Sequence, residues 1–150
     1  MRTISKRTQY GLKALLALGR RYREGPVLIA KLSEEEAIPL NFLEAILLDL
    51  KGKGLLPSKK GKGGGYQLSR PPSTITIGSI IRLMEGPLAA LPCASETAFQ
   101  PCDVCEDVEF CGTRMIMRDV RDAVAGILDR TTLASLLHRV DEARSVKPPS

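Results

Sequence analysis

Four cysteines lie close together in the second half of this 150-residue chain, with the spacing C-x8-C-x2-C-x5-C. They are Cys93, Cys102, Cys105 and Cys111, in a segment without Lys or Arg that carries the acids Glu96, Asp103, Glu106, Asp107 and Glu109. Four clustered thiolates suit tetrahedral zinc or an iron–sulfur cluster. Structural zinc sites usually have two C-x2-C pairs, and this chain has one, which favours a cluster. Zinc and a thiol redox switch remain as alternatives.

The remaining composition limits the chemistry available. The chain has one His and no Trp, so we predict no enzyme and no small-molecule substrate. It has no run of 18 apolar residues, and its first residues do not resemble a signal peptide, which predicts a cytoplasmic protein with no membrane partner. In a reducing compartment, disulfides between the cysteines are less expected than metal binding or redox sensing.

Charge divides the chain into two unequal halves. Residues 1–70 contain 14 Lys and Arg against 6 Asp and Glu, a net charge of +8. Residues 71–150 contain 8 against 11, a net charge of −3. This asymmetry is typical of a phosphate-binding module followed by a sensing or assembly module, although charge alone also fits a solvated basic surface.

Apolar periodicity predicts three helices in the basic half, at residues 5–23, 28–36 and 40–51. Gly25-Pro26 and Pro39 separate them. A long helix followed by two short ones predicts a helix-turn-helix. The apolar faces are expected to be Leu12, Leu15, Leu16 and Gly19 on the first helix, Ile29 and Leu32 on the second, and Phe42, Leu43, Ile46, Leu47 and Leu50 on the third.

A glycine-rich basic segment follows the third helix and predicts a β-hairpin. Its tip, residues 59–65, combines three lysines with four glycines, so its backbone can approach a surface closely while its charges neutralise phosphates. A nucleotide-binding phosphate loop would require Gly-Lys-Ser/Thr before a helix, whereas this segment enters a strand at Tyr66. A hairpin after a helix-turn-helix is the wing of a winged helix. The predicted wing residues that contact DNA are Lys59, Lys60, Lys62, Gly63, Gly64 and Tyr66.

The acidic half is predicted to contain a connecting helix, the cysteine loop, a long helix over 113–130 and a short last helix. The long helix has an apolar stripe of Ile116, Val120, Val124 and Ile127, with its charged residues, Arg121 among them, on the other faces. Such a stripe predicts a homodimer that reads a roughly palindromic double-stranded DNA site; alternatively, it folds back onto its own winged helix.

The predicted fold class is therefore mainly α with a small β-hairpin, a winged helix-turn-helix plus a long dimerisation helix. We predict a DNA-binding domain at 1–72, a linker helix at 73–87, a cluster-binding loop at 88–112, dimerisation helices at 113–143 and a flexible tail at 144–150.

Several motifs, in this order, resemble the family of winged-helix regulators that includes the iron–sulfur regulator IscR, the nitric-oxide-sensing NsrR and the cysteine-metabolism regulator CymR. They are the segments 10–15, 40–44, 63–68, 75–78 and 128–133, together with the C-x5-C of Cys105 and Cys111. The resemblance implies a dimeric transcription regulator with the third helix in the major groove, where Asn41, Phe42 and Glu44 would read bases. It also implies that Lys60 enters the minor groove.

The resemblance further implies a [2Fe-2S] or [4Fe-4S] cluster, but the cysteine pattern departs from that of the cluster-binding members. Those members have three cysteines separated by two five-residue gaps, whereas eleven residues separate Cys93 from Cys105 here. The non-cysteine ligands of relatives are missing, since Arg114 replaces a His and Thr8 or Gln9 replaces an acid. Cys102 is the expected fourth ligand, with Asp103 or Glu106 as the alternative.

Overall fold

The computed structural model describes residues 3–59 and 64–147. Three helices, α1 (Lys6–Arg20), α2 (Ile29–Glu36) and α3 (Leu40–Gly52), form the first module. The side chain of Ser5 caps α1 by accepting a hydrogen bond from the backbone N–H of Thr8. The helix ends three residues earlier than predicted, and the turn that follows includes Arg23, whose φ is +78°.

These helices enclose one apolar core, as predicted. The buried residues of α3 lie against α1 and α2, whereas Phe42, expected in the same stripe, is 59% exposed. Phe42 directly precedes the buried Leu43, so it is rotated by about 100° around the helix axis and falls outside the buried face. Leu12 and Leu16 of α1 and Ile29 of α2 are only partly buried. The buried apolar side chains within these helices are Ala14, Leu15, Leu18, Leu32, Leu43, Ile46, Leu47 and Leu50.

The hairpin consists of β1 (Ser58–Lys59) and β2 (Gly65–Tyr66), which pair in antiparallel register. Tyr66 exchanges backbone hydrogen bonds with Val27 at 2.8 and 2.9 Å, so the base of the wing is attached to the loop between α1 and α2. Gly65 has a φ of +145°, and a Cβ at this position would overlap the carbonyl of Val27. Only glycine permits this close approach. The predicted wing residues Lys60, Lys62 and Gly63 lie outside the described residues.

The second half contains α4 (Ile77–Glu85), α5 (Gly112–Arg130) and α6 (Leu133–Val146). A loop with a 3-10 turn at Pro92–Ala94 joins α4 to α5. Thr76 and Thr132 form the N-caps of α4 and α6 and lie opposite each other in an antiparallel bridge. In that bridge the N–H of Ile77 donates to Thr131, and the N–H of Leu133 donates to Ile75. The two residues that connect α5 to α6 are thereby bonded to the start of α4.

The final helix continues three residues into the segment predicted as a flexible tail, because α6 ends at Val146. It packs against α1, and Arg20 forms an ion pair with Asp141 at 2.7 Å. Within the described residues, no helix is long and apolar enough to span a membrane. The part of the chain that the structure describes contains six α-helices and one short strand pair, in agreement with the predicted fold class.

Candidate nucleic-acid interface and cysteine site

The outer surface of α3 is the first candidate for DNA contact. Asn41, Phe42 and Glu44 are all exposed on α3. Phe42, however, lies on the side of the helix that faces α1, since its ring centroid is 6.3 Å from that of Tyr10. The exposed set of α3 also includes Ala45 and Leu48, which the sequence analysis did not select. In the sequence, Leu48 falls on the same helical face as the polar residues Glu44 and Lys51, and this position could have indicated that it is exposed.

Polar contacts at the C-terminal end of α3 connect it to neighbouring helices. Asp49 of α3 accepts hydrogen bonds from Arg7 of α1 at 2.6 Å and from Lys53 at 3.1 Å. The hydrogen bond from Arg7, followed by that from Lys53, holds the pKa of Asp49 below its usual value of 3.8. Lys53 also donates to the carbonyl of Leu83 on α4. The exposed face of α3 is therefore positioned by contacts with both α1 and α4.

The wing residues within the described part of the chain lie at the base of the hairpin. Tyr66 is half-buried, with its backbone bonded to Val27, and Gly64 is buried beside Arg21 and Lys31. Lys59 is the last residue of β1 and pairs with Gly65. A concave surface beside Gly64 is lined by Arg21 and Lys31 as well as by Leu28. Arg21, directly after α1, and Lys31 of α2 are thus basic residues close to the base of the wing.

Two of the four cysteines are in direct contact at the start of α5. The thiol of Cys105 donates a hydrogen bond to Cys111, with the sulfurs 3.0 Å apart. This bond, together with a smaller contribution from Cys102, raises the pKa of Cys105 to about 12. Cys111 is the N-cap residue of α5. The hydrogen bond from Cys105 and then the backbone N–H of Arg114 lower the pKa of Cys111.

Cys93 differs from this pair in being buried. It lies in the 3-10 turn Pro92–Ala94 and is only 5% exposed. Within residues 3–59 and 64–147, no three Cys, His, Asp or Glu side chains are close enough together to hold a metal ion. Cys105 and Cys111 fit two adjacent thiolate ligands of one metal ion. Among the described residues, the four cysteines are not brought together into one ligand set.

Two arginines of α5 bind the turn that contains Cys93. Arg114 donates to the carbonyl of Cys93 at 2.7 Å and lies over the ring of Phe99. Arg121, about two helical turns further along, donates to the carbonyl of Ala94 at 2.5 Å. The two arginines are seven residues apart, a spacing that places them on one helix face. That spacing is the signal from which their shared role could have been inferred.

Arg121 corrects a sequence-based expectation. It was expected on an outer face of α5, but it is only 9% exposed. Burial of a guanidinium requires compensating partners, and Arg121 has them in Ala94, Asp122 and Glu96. The cysteine loop packs onto this face of α5 and covers Arg121.

The apolar stripe of α5 is divided between two environments. Val120, Val124 and Leu128 line a cavity of about 190 Å³ together with Ile81 of α4 and Leu88 of the loop. By contrast, Ile116 and Ile127, expected in the same stripe, are 56% and 57% exposed. Part of the stripe therefore faces the chain's own α4, and part of it is uncovered in the single chain.

A three-helix module with a helix-turn-helix arrangement, a hairpin wing and a basic surface defines a DNA-binding winged-helix protein. Over residues 4–139 the chain matches the Rrf2 family model, described as an iron-dependent transcriptional regulator, and the chain belongs to this family.

Known relatives agree with this assignment. The chain is 37% identical over 137 residues to an rrf2-like protein of Rhodobacter capsulatus, named as an HTH-type transcriptional regulator, covering 89% of this chain and 91% of the relative. It is similar to the structure of CymR, the global cysteine regulator of B. subtilis, with a TM-score of 0.76, 34% identity and coverage of 93% of this chain and 98% of that one. It is also similar to T. potens IscR, with a TM-score of 0.76, 28% identity and coverage of 98% and 94%. These relatives are regulators rather than enzymes, as the sequence predicted.

Proposed function

We propose that this chain is a homodimeric transcription regulator whose binding to a pseudo-palindromic operator is controlled by an iron–sulfur cluster, [2Fe-2S] or [4Fe-4S]. The ligands in this proposal are Cys93, Cys102, Cys105 and Cys111. The observation that carries the cluster proposal is the contact between Cys105 and Cys111 at the N-terminus of α5. The similarity to IscR supports it.

The position of the cysteines suggests how a cluster would act on the DNA-binding module. Cys111 is the N-cap residue of α5, and the opposite end of α5 is bonded to α4 through the pair Arg82–Asp129 and through the bridge between Thr76 and Thr132. The turn around Cys93 is held to α5 by Arg114 and Arg121. A change in the loop would therefore change the contacts of α5, which packs against α4, and α4 in turn packs against α1 of the winged helix.

A spectroscopic experiment tests the cluster. The full chain purified without oxygen should show visible absorbance and contain iron and sulfide, and a Cys105→Ala variant should lose both. A Cys102→Ala variant tests the fourth ligand: retained absorbance would assign that role to an acid such as Asp103 or Glu106. Stoichiometric zinc in a colourless protein would contradict the cluster and support the zinc alternative.

The contact between Cys105 and Cys111 also favours a second candidate function, a thiol switch in the same DNA-binding regulator. The two thiols would form a disulfide by giving two electrons and two protons to an oxidant such as a low-molecular-weight disulfide, which would be reduced to two thiols. Treatment of the metal-free chain with oxidised glutathione, followed by peptide mass spectrometry, would reveal a Cys105–Cys111 disulfide. If only mixed disulfides with glutathione formed, this candidate would be wrong.

A further inference from the structure

The face of α3 that points away from the core carries an apolar surface that has no role in the fold. Asn41, Ala45 and Leu48 are all exposed, at positions i, i+4 and i+7, which share one face of a helix. The buried residues Leu43 and Leu47 lie on the opposite face. Leu48 is 60% exposed and belongs neither to the core cluster nor to the residues packed against it.

The position of Leu48 matters more than its exposure, because single exposed apolar residues are common on protein surfaces. Leu48 lies one helical turn after Glu44, on the helix that follows the turn of the helix-turn-helix. Lys51 extends from the same helix near its C-terminus, and the half of the chain that contains α3 has a net charge of +8. Charge complementarity therefore favours a polyanion as the partner of this face.

In the major groove of DNA, the 5-methyl group of thymine is the apolar feature of the base edges, and aliphatic side chains contact it. An Asn side chain matches adenine with two hydrogen bonds. A face that combines Asn41 with Ala45 and Leu48 thus matches A·T base pairs in its chemistry. Phe42 lies toward Tyr10 and is less suited to this face.

We propose that Leu48, together with Ala45, reads thymine methyl groups in each half-site of the operator. This inference rests on the proposed operator binding, with α3 in the major groove as the family resemblance implies. It adds a specificity-determining side chain that sequence analysis did not select. The side chain contributes by removing apolar surface from water and needs no hydrogen bond.

The test begins with selection of binding sites from a random duplex library by the full chain. In the selected duplex, each thymine is then replaced individually by uracil, which removes only the methyl group. We expect at least one replacement per half-site to weaken binding about fourfold, the factor for one methyl-sized apolar group left in water. The measurement is the dissociation constant at one fixed salt concentration.

The variant Leu48→Ala identifies the side chain responsible. It should bind the thymine duplex about fourfold or more weakly than the original chain does and should be insensitive to uracil at the same position. The matched control is Val146→Ala, an exposed aliphatic residue at the end of α6 that is 82% exposed. The control should retain both the original affinity and the uracil effect. Equal thermal unfolding midpoints for the three proteins would establish that folding is unchanged.

The outcomes separate this inference from the function on which it rests. If no sequence is enriched, the sequence-specific DNA reader is wrong and the inference fails with it. If an operator is found but uracil has no effect, or the effect persists in Leu48→Ala, only the methyl contact is wrong. The exposed face of α3 would then be free to contact a protein partner instead.

Discussion

Asp129 of α5 accepts two hydrogen bonds from the guanidinium of Arg82 on α4, at 2.6 and 3.0 Å, directly above Gly78. The pair connects the long helix after the cysteine loop to the helix that follows the winged module. A side chain at position 78 would occupy the place of the Asp129 carboxylate. Two sequence motifs, residues 75–78 and 128–133, meet at this point.

Replacement of Gly78 by Ala should destabilise the protein by about 1–3 kcal/mol, because the added Cβ overlaps Asp129. In an Asp129→Ala background the same change should cost much less, since the overlapping atoms are gone. Urea unfolding of the four proteins in this cycle measures the difference. Gly52→Ala is the control, since nothing lies within 4 Å of its Cβ position. An equal loss of unfolding free energy in both backgrounds would show that the Asp129 carboxylate is not what excludes a side chain at position 78.

Stability should decline as the pH falls through the acidic range. Hydrogen bonds from Arg82 and from Arg7 lower the pKa values of Asp129 and Asp49, respectively, below 3.8 in the folded protein. The unfolded chain then binds more protons than the folded chain at low pH, so the stabilisation is present above about pH 5 and is lost below it. Unfolding free energies measured between about pH 6 and pH 3 should show this slope. A double variant, Asp49→Asn with Asp129→Asn, should have a shallower slope.

In the reduced, metal-free chain, Cys111 should react with iodoacetamide at lower pH than Cys105 does. The hydrogen bond between them lowers the pKa of Cys111 and raises that of Cys105 to about 12, and the thiolate is the reactive form. Mass spectrometry across a pH series measures both rates. Cys105→Ala should move the reactivity curve of Cys111 to higher pH, whereas Cys93→Ala should leave it in place. No shift in Cys105→Ala would mean that the sulfur–sulfur contact does not control Cys111.

The exposed part of the α5 stripe should mediate dimerisation. Ile127→Glu places a charge in the apolar stripe of α5, at a residue that is 57% exposed in the single chain. Dimerisation through this stripe would bury the charge without a partner, which is unfavourable. We expect a dimer for the original chain and a monomer, or at least tenfold weaker association, for the variant in sedimentation equilibrium. Val146→Glu, outside α5, should remain a dimer. A dimeric Ile127→Glu protein would show that the dimer interface lies elsewhere.

The wing lysines should contribute to DNA affinity through phosphates. Lys60→Ala and Lys62→Ala should each weaken binding across different sequences and reduce the slope of log K against log salt concentration by about 1. Titrations at several salt concentrations give both quantities. Lys147→Ala, next to the end of α6, should change neither. An unaltered slope in the wing variants would remove them from the interface.

The sequence by itself determined the secondary structure, the winged helix and the family. Apolar residues at helical spacing, interrupted by Gly and Pro, are local signals, and they placed the ends of α3 and α5 within about one residue of their observed bounds. Gly78 and the segment 128–133 were found as motifs, but their sequence separation concealed their contact. The cysteine spacing likewise identified a site without revealing which sulfurs are neighbours.

Only the tertiary structure decided which faces are covered. Arg121 is polar, yet the cysteine loop buries it, because its donors are matched by Ala94, Asp122 and Glu96. Phe42 is apolar, yet it remains largely exposed to solvent, with its ring close to that of Tyr10 on one side. The four cysteines divide into a buried Cys93 and three partly exposed ones, Cys102, Cys105 and Cys111, of which the last two are in contact. Burial of this kind depends on which segments pack together across the chain, and local periodicity carries no information about that packing.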